Sequence, residues 1–87
     1  MTTIAIDPKR PADAFEQAAE RVNGGEAEVV LDLSAVPRID SQTAGAVERL
    51  AGVTADRSAK VTLRGANGEV YKVLKLLKLT ERFAFAG

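Results

Sequence analysis

The chain has 87 residues, of which 12 are basic and 12 acidic, so its formal net charge is zero. This balance argues against a nucleic-acid-binding protein, which usually carries a basic excess concentrated on one face. The sequence contains neither histidine nor cysteine, which removes the commonest general base, the commonest metal ligand and all disulfide or thiolate chemistry. We therefore expect no catalytic residue, no metal and no cofactor, and no enzymatic activity.

The length predicts one domain over residues 1–87, with a modest core and with its function on the surface. No apolar run approaches the roughly 20 residues that a membrane-spanning helix needs, and the N-terminus lacks the apolar core of a signal peptide. The sequence thus predicts a cytoplasmic protein without direct membrane insertion, and makes no prediction of its oligomeric state.

Strand and helix patterns alternate along the chain. In order, the sequence predicts a strand over 3–6, a helix over 12–22, a buried strand over 28–33, a helix over 42–55, a half-buried strand over 60–64, a helix from the cap Asn67 to about Leu77, and a segment over 79–85 that folds back to cover an exposed edge. Such alternation indicates right-handed crossovers and an α/β fold. We expect a mixed, mostly parallel sheet of about four strands with three or four helices.

The helix predicted over 42–55 has two distinct sides. Its inward stripe consists of Thr43, Val47, Leu50, Ala51 and Thr54, and its outward side of Gly45, Ala46, Arg49, Gly52 and Val53. An exposed glycine within a helix costs up to about 1 kcal/mol relative to alanine, so helix propensity does not favour it. The outward side is either a flat strip that a partner approaches closely or a tolerated solvent face. Both interpretations stay open.

The stretch VVLDLSAVPRIDSQTAG, residues 29–45, delivers Asp40 and Ser41 to the start of that helix. One interpretation makes Ser41 an N-cap and Asp40 a carboxylate attracted to the positive end of the helix. A nucleophilic Ser41 is disfavoured, because there is no histidine and no lysine lies near it in sequence. An exposed serine here is instead suited to accept a phosphate, which Asp40 opposes and Arg38 offsets.

At these residues the sequence resembles the STAS family, best known from antagonists of anti-sigma factors. The family pattern is an apolar strand ending in D/N-L-S/T, a short loop, an aspartate, a serine or threonine, and a helix start that contains glycine. The strand over 29–33 is followed here by Ser34, Asp40 matches the aspartate, Ser41 the phosphoacceptor and Gly45 the later glycine. Thr43 stands where the family usually has a first glycine.

A second stretch, KVTLRGANGEVYKVLKLLKL over residues 60–79, is similar to the last strand and helix of the family. It is especially similar to the STAS subunit of Mla-type ABC phospholipid transporters. The N-terminus departs from the pattern, with one strand where the family usually has an opening pair. The usual first strand is therefore missing or is supplied by a partner.

The resemblance implies a bacterial regulatory module that docks a protein partner and regulates transcription. Unphosphorylated Ser41 would permit binding to an anti-sigma factor that is also a serine kinase, and phosphorylation with the partner's ATP would weaken the complex. We expect Arg38, Asp40 and Thr43 to form a switch loop around Ser41. Helix geometry, rather than the resemblance, makes the outward side of the helix the expected docking surface. Two alternatives remain: an accessory subunit bound to the ATPase of an Mla-type ABC transporter, or a regulatory module of a chemotaxis or two-component pathway.

Overall fold

Four strands and three helices alternate along residues 2–86, which are the residues that the computed structural model describes. They are β1 (Thr2–Ala5), α1 (Pro11–Asn23), β2 (Glu28–Asp32), α2 (Ser41–Arg57), β3 (Lys60–Arg64), α3 (Gly68–Leu76) and β4 (Ala84–Ala86). Each predicted helix and strand is present, with ends that differ by a residue or two. The predicted α/β class is confirmed.

The strands form one sheet in the order β1-β2-β3-β4, and every pairing within residues 2–86 is parallel rather than mixed. The register places Val29 beside Val61 and Leu31 beside Leu63. The C-terminal segment returns to pair with β3, where Phe85 lies beside Leu63. This pairing confirms the expectation that residues 79–85 lead back to cover an edge of the sheet.

All three helices lie on one face of the sheet. Sequential strands joined by right-handed crossovers place each connecting helix on the same side. The strand side chains that point to this side are buried, as Val29, Leu31, Val61 and Leu63 show with at most 1% exposure. They join the buried residues of the helices in one continuous hydrophobic core.

Helices α1 and α2 pack closely against each other, whereas α2 and α3 scarcely approach. Helix α1 begins with Pro11, a residue that has no N–H to lose at a helix start, and it buries Phe15 and Val22 completely. Helix α2 buries its whole predicted inward stripe, Thr43, Val47, Leu50, Ala51 and Thr54. Because α3 lies farther from α2 than α1 does, a groove is left between α2 and the end of α3.

Asn67 joins the start of α3 to the loop between β2 and α2. Its side-chain oxygen accepts a hydrogen bond from the backbone N–H of Val70 at 2.8 Å, which makes it the predicted N-cap. Its amide nitrogen donates to the carbonyl oxygens of Val36 at 3.3 Å and Pro37 at 3.2 Å. One side chain thus caps a helix and holds the loop that leads to α2.

Replacing Asn67 with alanine should lower the free energy of unfolding by about 1–2 kcal/mol, because the helix cap and the hydrogen bonds to the loop are lost together. Asn67→Ser keeps an oxygen that can cap α3 but is too short to reach the loop, so its loss should be smaller. Urea denaturation followed by circular dichroism measures both. Equal stability of all three proteins would show that this side chain does not secure the loop.

Candidate functional site

Apolar side chains anchor the loop between β2 and α2 to the hydrophobic core. Leu33, Val36 and Ile39 are buried, with 0%, 1% and 9% exposure. The polar residues between and after them, including Arg38 and Asp40, are exposed. Buried anchors at every third residue therefore hold the loop against the core, and the polar residues between and after them are exposed at the edge of the sheet where the strands end.

Asp40 is the N-cap of α2. Its backbone is extended, with φ −88° and ψ 178°, and its carboxylate accepts a hydrogen bond from the backbone N–H of Thr43 at 2.8 Å. Its carbonyl accepts from the N–H of Ala44, also at 2.8 Å. The interpretation of Ser41 as the cap is therefore wrong: Ser41 is the first residue of the helix, and it is exposed.

Thr43 faces the interior instead of belonging to an accessible loop. It lies in the first turn of α2 and is only 1% exposed. Its backbone N–H and its hydroxyl both stabilise the Asp40 carboxylate, and with the smaller field of Arg38 they hold the pKa of Asp40 below its ordinary value. Its placement in the switch loop needs correction, because a side chain turned toward the cap and the core cannot touch a partner.

Two basic residues that the sequence analysis did not single out lie beside the start of α2. Lys9 and Arg10, from the loop after β1, line a cleft of about 270 Å³ together with Asp40 and Gln42. Arg10 is oriented by an ion pair from its Nε to the carboxylate of Asp13, at 2.9 Å. The predicted parallel sheet could have indicated this proximity, because the loops that follow parallel strands lie at the same edge of the sheet.

The outward side of α2 is narrower than predicted. Gly45, Arg49 and Gly52 are exposed, and a Cβ built on either glycine would meet nothing within 4 Å. Ala46, at 6% exposure, belongs to the core, and Val53 packs half-buried against it. Their outward placement is wrong, because α2 packs against α1 as well as the sheet and so buries a broader arc than one stripe.

A groove of about 530 Å³ runs between α2 and the segment that links α3 to β4. The residues that line it are Glu48, Ala51, Gly52, Ala55, Asp56, Leu77, Leu79 and Arg82. The α2 wall carries two acidic side chains and small residues, whereas the other wall carries two leucines and Arg82. The groove was not predicted, because the sequence gives the phase of α2 but not its distance from α3.

Within residues 2–86, no group of three or more His, Cys, Asp or Glu residues is placed to hold a metal ion. No helix in the same range is both long and apolar enough to cross a membrane.

Comparison with known proteins connects this geometry to a family. The family model of the STAS domain matches residues 10–86. The crystal structure of a candidate anti-sigma factor antagonist from Thermotoga maritima is similar, with a TM-score of 0.70 and 24% sequence identity over 97% of this chain and 71% of that chain. At this identity the likeness shows the fold. No curated protein sequence gives a significant match.

The cap predicts a specific dependence of stability on pH. Because the pKa of Asp40 is lowered in the folded state, its stabilising effect is present above about pH 4 and is lost as the pH falls through the folded pKa. Asp40→Asn keeps an oxygen that caps the helix but cannot titrate. Urea denaturation at pH 7 and pH 3 should therefore show a smaller acid loss for the variant. Identical losses would show that Asp40 makes no contribution to acid unfolding.

Proposed function

The chain belongs to the STAS domain family, and we propose that it is a non-enzymatic regulatory module of the anti-sigma factor antagonist type, switched by phosphorylation of Ser41. The observation that carries the proposal is that Asp40, and not Ser41, caps α2. Asp40 makes the capping hydrogen bond, so the exposed Ser41 hydroxyl carries no structural role there. A phosphate added to Ser41 therefore leaves the cap of the helix intact.

The charges around Ser41 can accommodate an added phosphate. A phosphate adds about −1.5 to −2 charge at the positive end of α2, which the helix dipole and nearby basic side chains stabilise. Arg38 lies close enough to affect Asp40 electrostatically, and Lys9 and Arg10 line the adjacent cleft. Asp40 opposes the added charge. The modified state is thus tolerated by the fold while the surface beside α2 becomes more negative.

The surface that we propose for docking consists of Gly45, Arg49 and Gly52 together with the groove between α2 and the α3–β4 segment. The two glycines let a partner's backbone approach α2, and the groove offers apolar side chains with charges of both signs. This surface continues from Ser41 along the same helix, so a phosphate at Ser41 acts at one end of it. The partner proposed is an anti-sigma factor with serine kinase activity, which supplies the ATP.

A second candidate function is a subunit bound constitutively to the ATPase of an Mla-type ABC transporter. It is favoured by Thr43, whose side chain is enclosed against the cap and core at the position where the family pattern usually has glycine. A first turn fixed in this way is suited to permanent docking. The two candidates differ in whether charge at Ser41 controls binding.

Ser41→Asp should leave the circular dichroism spectrum nearly unchanged and weaken partner binding about tenfold or more, which corresponds to about 1.4 kcal/mol. Ser41→Ala should keep both stability and affinity, because Asp40 makes the cap. The partner is first captured with the native protein and identified, and affinities are then measured by calorimetry. Gln42→Glu is the matched control, since it places a charge at the neighbouring exposed position. Equal affinities throughout would exclude a charge switch and favour the ATPase-bound subunit.

Gly52→Leu should stabilise the isolated protein by up to about 1 kcal/mol, because leucine is the better helix former and the site has open space. The same variant should weaken partner binding by filling the groove. Gly52→Ala should give a similar stability gain with little effect on binding, and Arg49→Glu should weaken binding in a salt-dependent manner. Thermal melts and calorimetry measure both properties. If Gly52→Leu binds as tightly as the wild type, this part of α2 is solvent surface.

A further inference from the structure

In the part of the chain that the structure describes, residues 2–86, the sheet has a second face that no helix covers, and the centre of this face is formed by six side chains of β2 and β3. We call these six residues the open face: Glu28, Val30, Asp32, Lys60, Thr62 and Arg64. They alternate along the strands with the buried residues, so they point away from the core. Each of them is exposed or half-buried.

An uncovered face is unusual for this kind of sheet. Parallel sheets in proteins occur almost only with both faces covered, because their crossover helices normally divide between the two sides. Here the sequential strand order places all three helices on one side. Val30, at the centre of β2, is thereby left on the uncovered side and half-buried. The open face thus lacks the layer that parallel sheets normally have.

The charges on the open face follow a simple pattern set by the register. Glu28 lies beside Lys60, Val30 beside Thr62, and Asp32 beside Arg64. The acidic residues are therefore all on β2 and the basic residues all on β3, with an uncharged row between the two charged rows. The ion pairs found within residues 2–86 join other residues, Arg10 with Asp13 and Arg21 with Glu26. One oxygen of the Asp32 carboxylate accepts a hydrogen bond from the backbone N–H of Ser34 at 2.9 Å, which leaves its charge unneutralised. The charges of the open face thus form no ion pairs within residues 2–86 and are available to a second surface.

This pattern is complementary to itself under one particular symmetry. A two-fold axis that runs between β2 and β3, parallel to the strands, lays β2 of one copy over β3 of the other. Glu28 then faces Lys60 of the second copy, Asp32 faces Arg64, and Val30 faces Thr62. An axis perpendicular to the strands would instead set acidic residues over acidic ones and basic over basic, which is unfavourable.

We propose that the open face binds the open face of a second copy of this chain, in a dimer whose two-fold axis runs along the strands between β2 and β3. Aligned packing of two sheets at about 10 Å is a common arrangement, and in each charged row a long basic side chain, Lys60 or Arg64, can reach across that separation to the facing carboxylate. Ser41 and the exposed side of α2 lie away from this interface, so both copies keep their docking surface.

The small area of the open face limits the expected affinity of the dimer. Four strands at about 4.8 Å spacing make a face roughly 15–20 Å across, which is small against the about 800 Å² that each partner buries in a complex of standard size. We therefore expect a weak dimer, with a dissociation constant on the order of 100 µM. Sedimentation equilibrium from about 10 µM to about 1 mM covers that range.

Two single charge reversals test whether the open face forms the interface and whether the two-fold axis runs along the strands. Lys60→Glu places acidic residues opposite each other at both Glu28 contacts, and Glu28→Lys places basic residues opposite each other. Each variant alone should dimerise at least tenfold more weakly than the wild type. A mixture of the two restores opposite charges in the mixed dimer, so association should return. Arg49→Glu, on α2, is the control and should leave the dimer unchanged.

Circular dichroism first establishes that each variant is folded. Recovery of association in the mixture supports the proposal, because loss of folding in either variant would not be repaired by mixing. A wild-type protein that stays monomeric to about 1 mM overturns it, whether another domain or another protein covers the face. A dimer that both reversals leave intact also overturns it, since the copies would then meet through a different surface.

Discussion

The parallel, sequential order of the four strands is the constraint on which the rest of the structure depends. Right-handed crossovers between neighbouring parallel strands place every helix on one face, so the molecule has one core and two unlike sides. The same order brings the loops after β1 and β2 to one edge, which is why Lys9 and Arg10 meet Asp40 although about thirty residues separate them. The site and the open face are thus both consequences of the topology.

At that edge, structural and functional roles fall on adjacent residues. Asp40 and Thr43 close the first turn of α2 through backbone and side-chain hydrogen bonds, and the pKa of Asp40 is lowered because its charged form is the one that these bonds stabilise. Ser41, one position along, is left with an exposed hydroxyl. If Ser41 were the cap of α2, a modification of Ser41 would disturb the start of the helix. Because Asp40 is the cap, Ser41 can be modified without loss of the capping hydrogen bond.

The sequence predicted the elements and the core well, because both follow from periodicity. The inward stripe of α2, from Thr43 to Thr54, was correct at every position, and Asn67 was recognised as a cap. Errors arose where the answer depends on how elements pack. Ala46 and Val53 lie on flanks of α2 that only the closeness of α1 determines, and either Asp40 or Ser41 fits the local pattern of an N-cap. The groove beside Gly52 depends on the distance between two helices, on which periodicity gives no information.

The two surfaces proposed for binding are well separated. The proposed docking surface lies on the helical side, the proposed dimer interface on the opposite face, and the sheet lies between them. A substitution on one side should therefore leave the other side's affinity unchanged, as expected for sites without shared partners.

The two proposals nevertheless interact through geometry. A dimer joined at the open faces carries two outward-facing Ser41 residues, so a partner that is itself dimeric would bind with an avidity that neither single contact supplies. Phosphorylation of one copy would then weaken attachment only partly, and modification of both copies would be needed for full release.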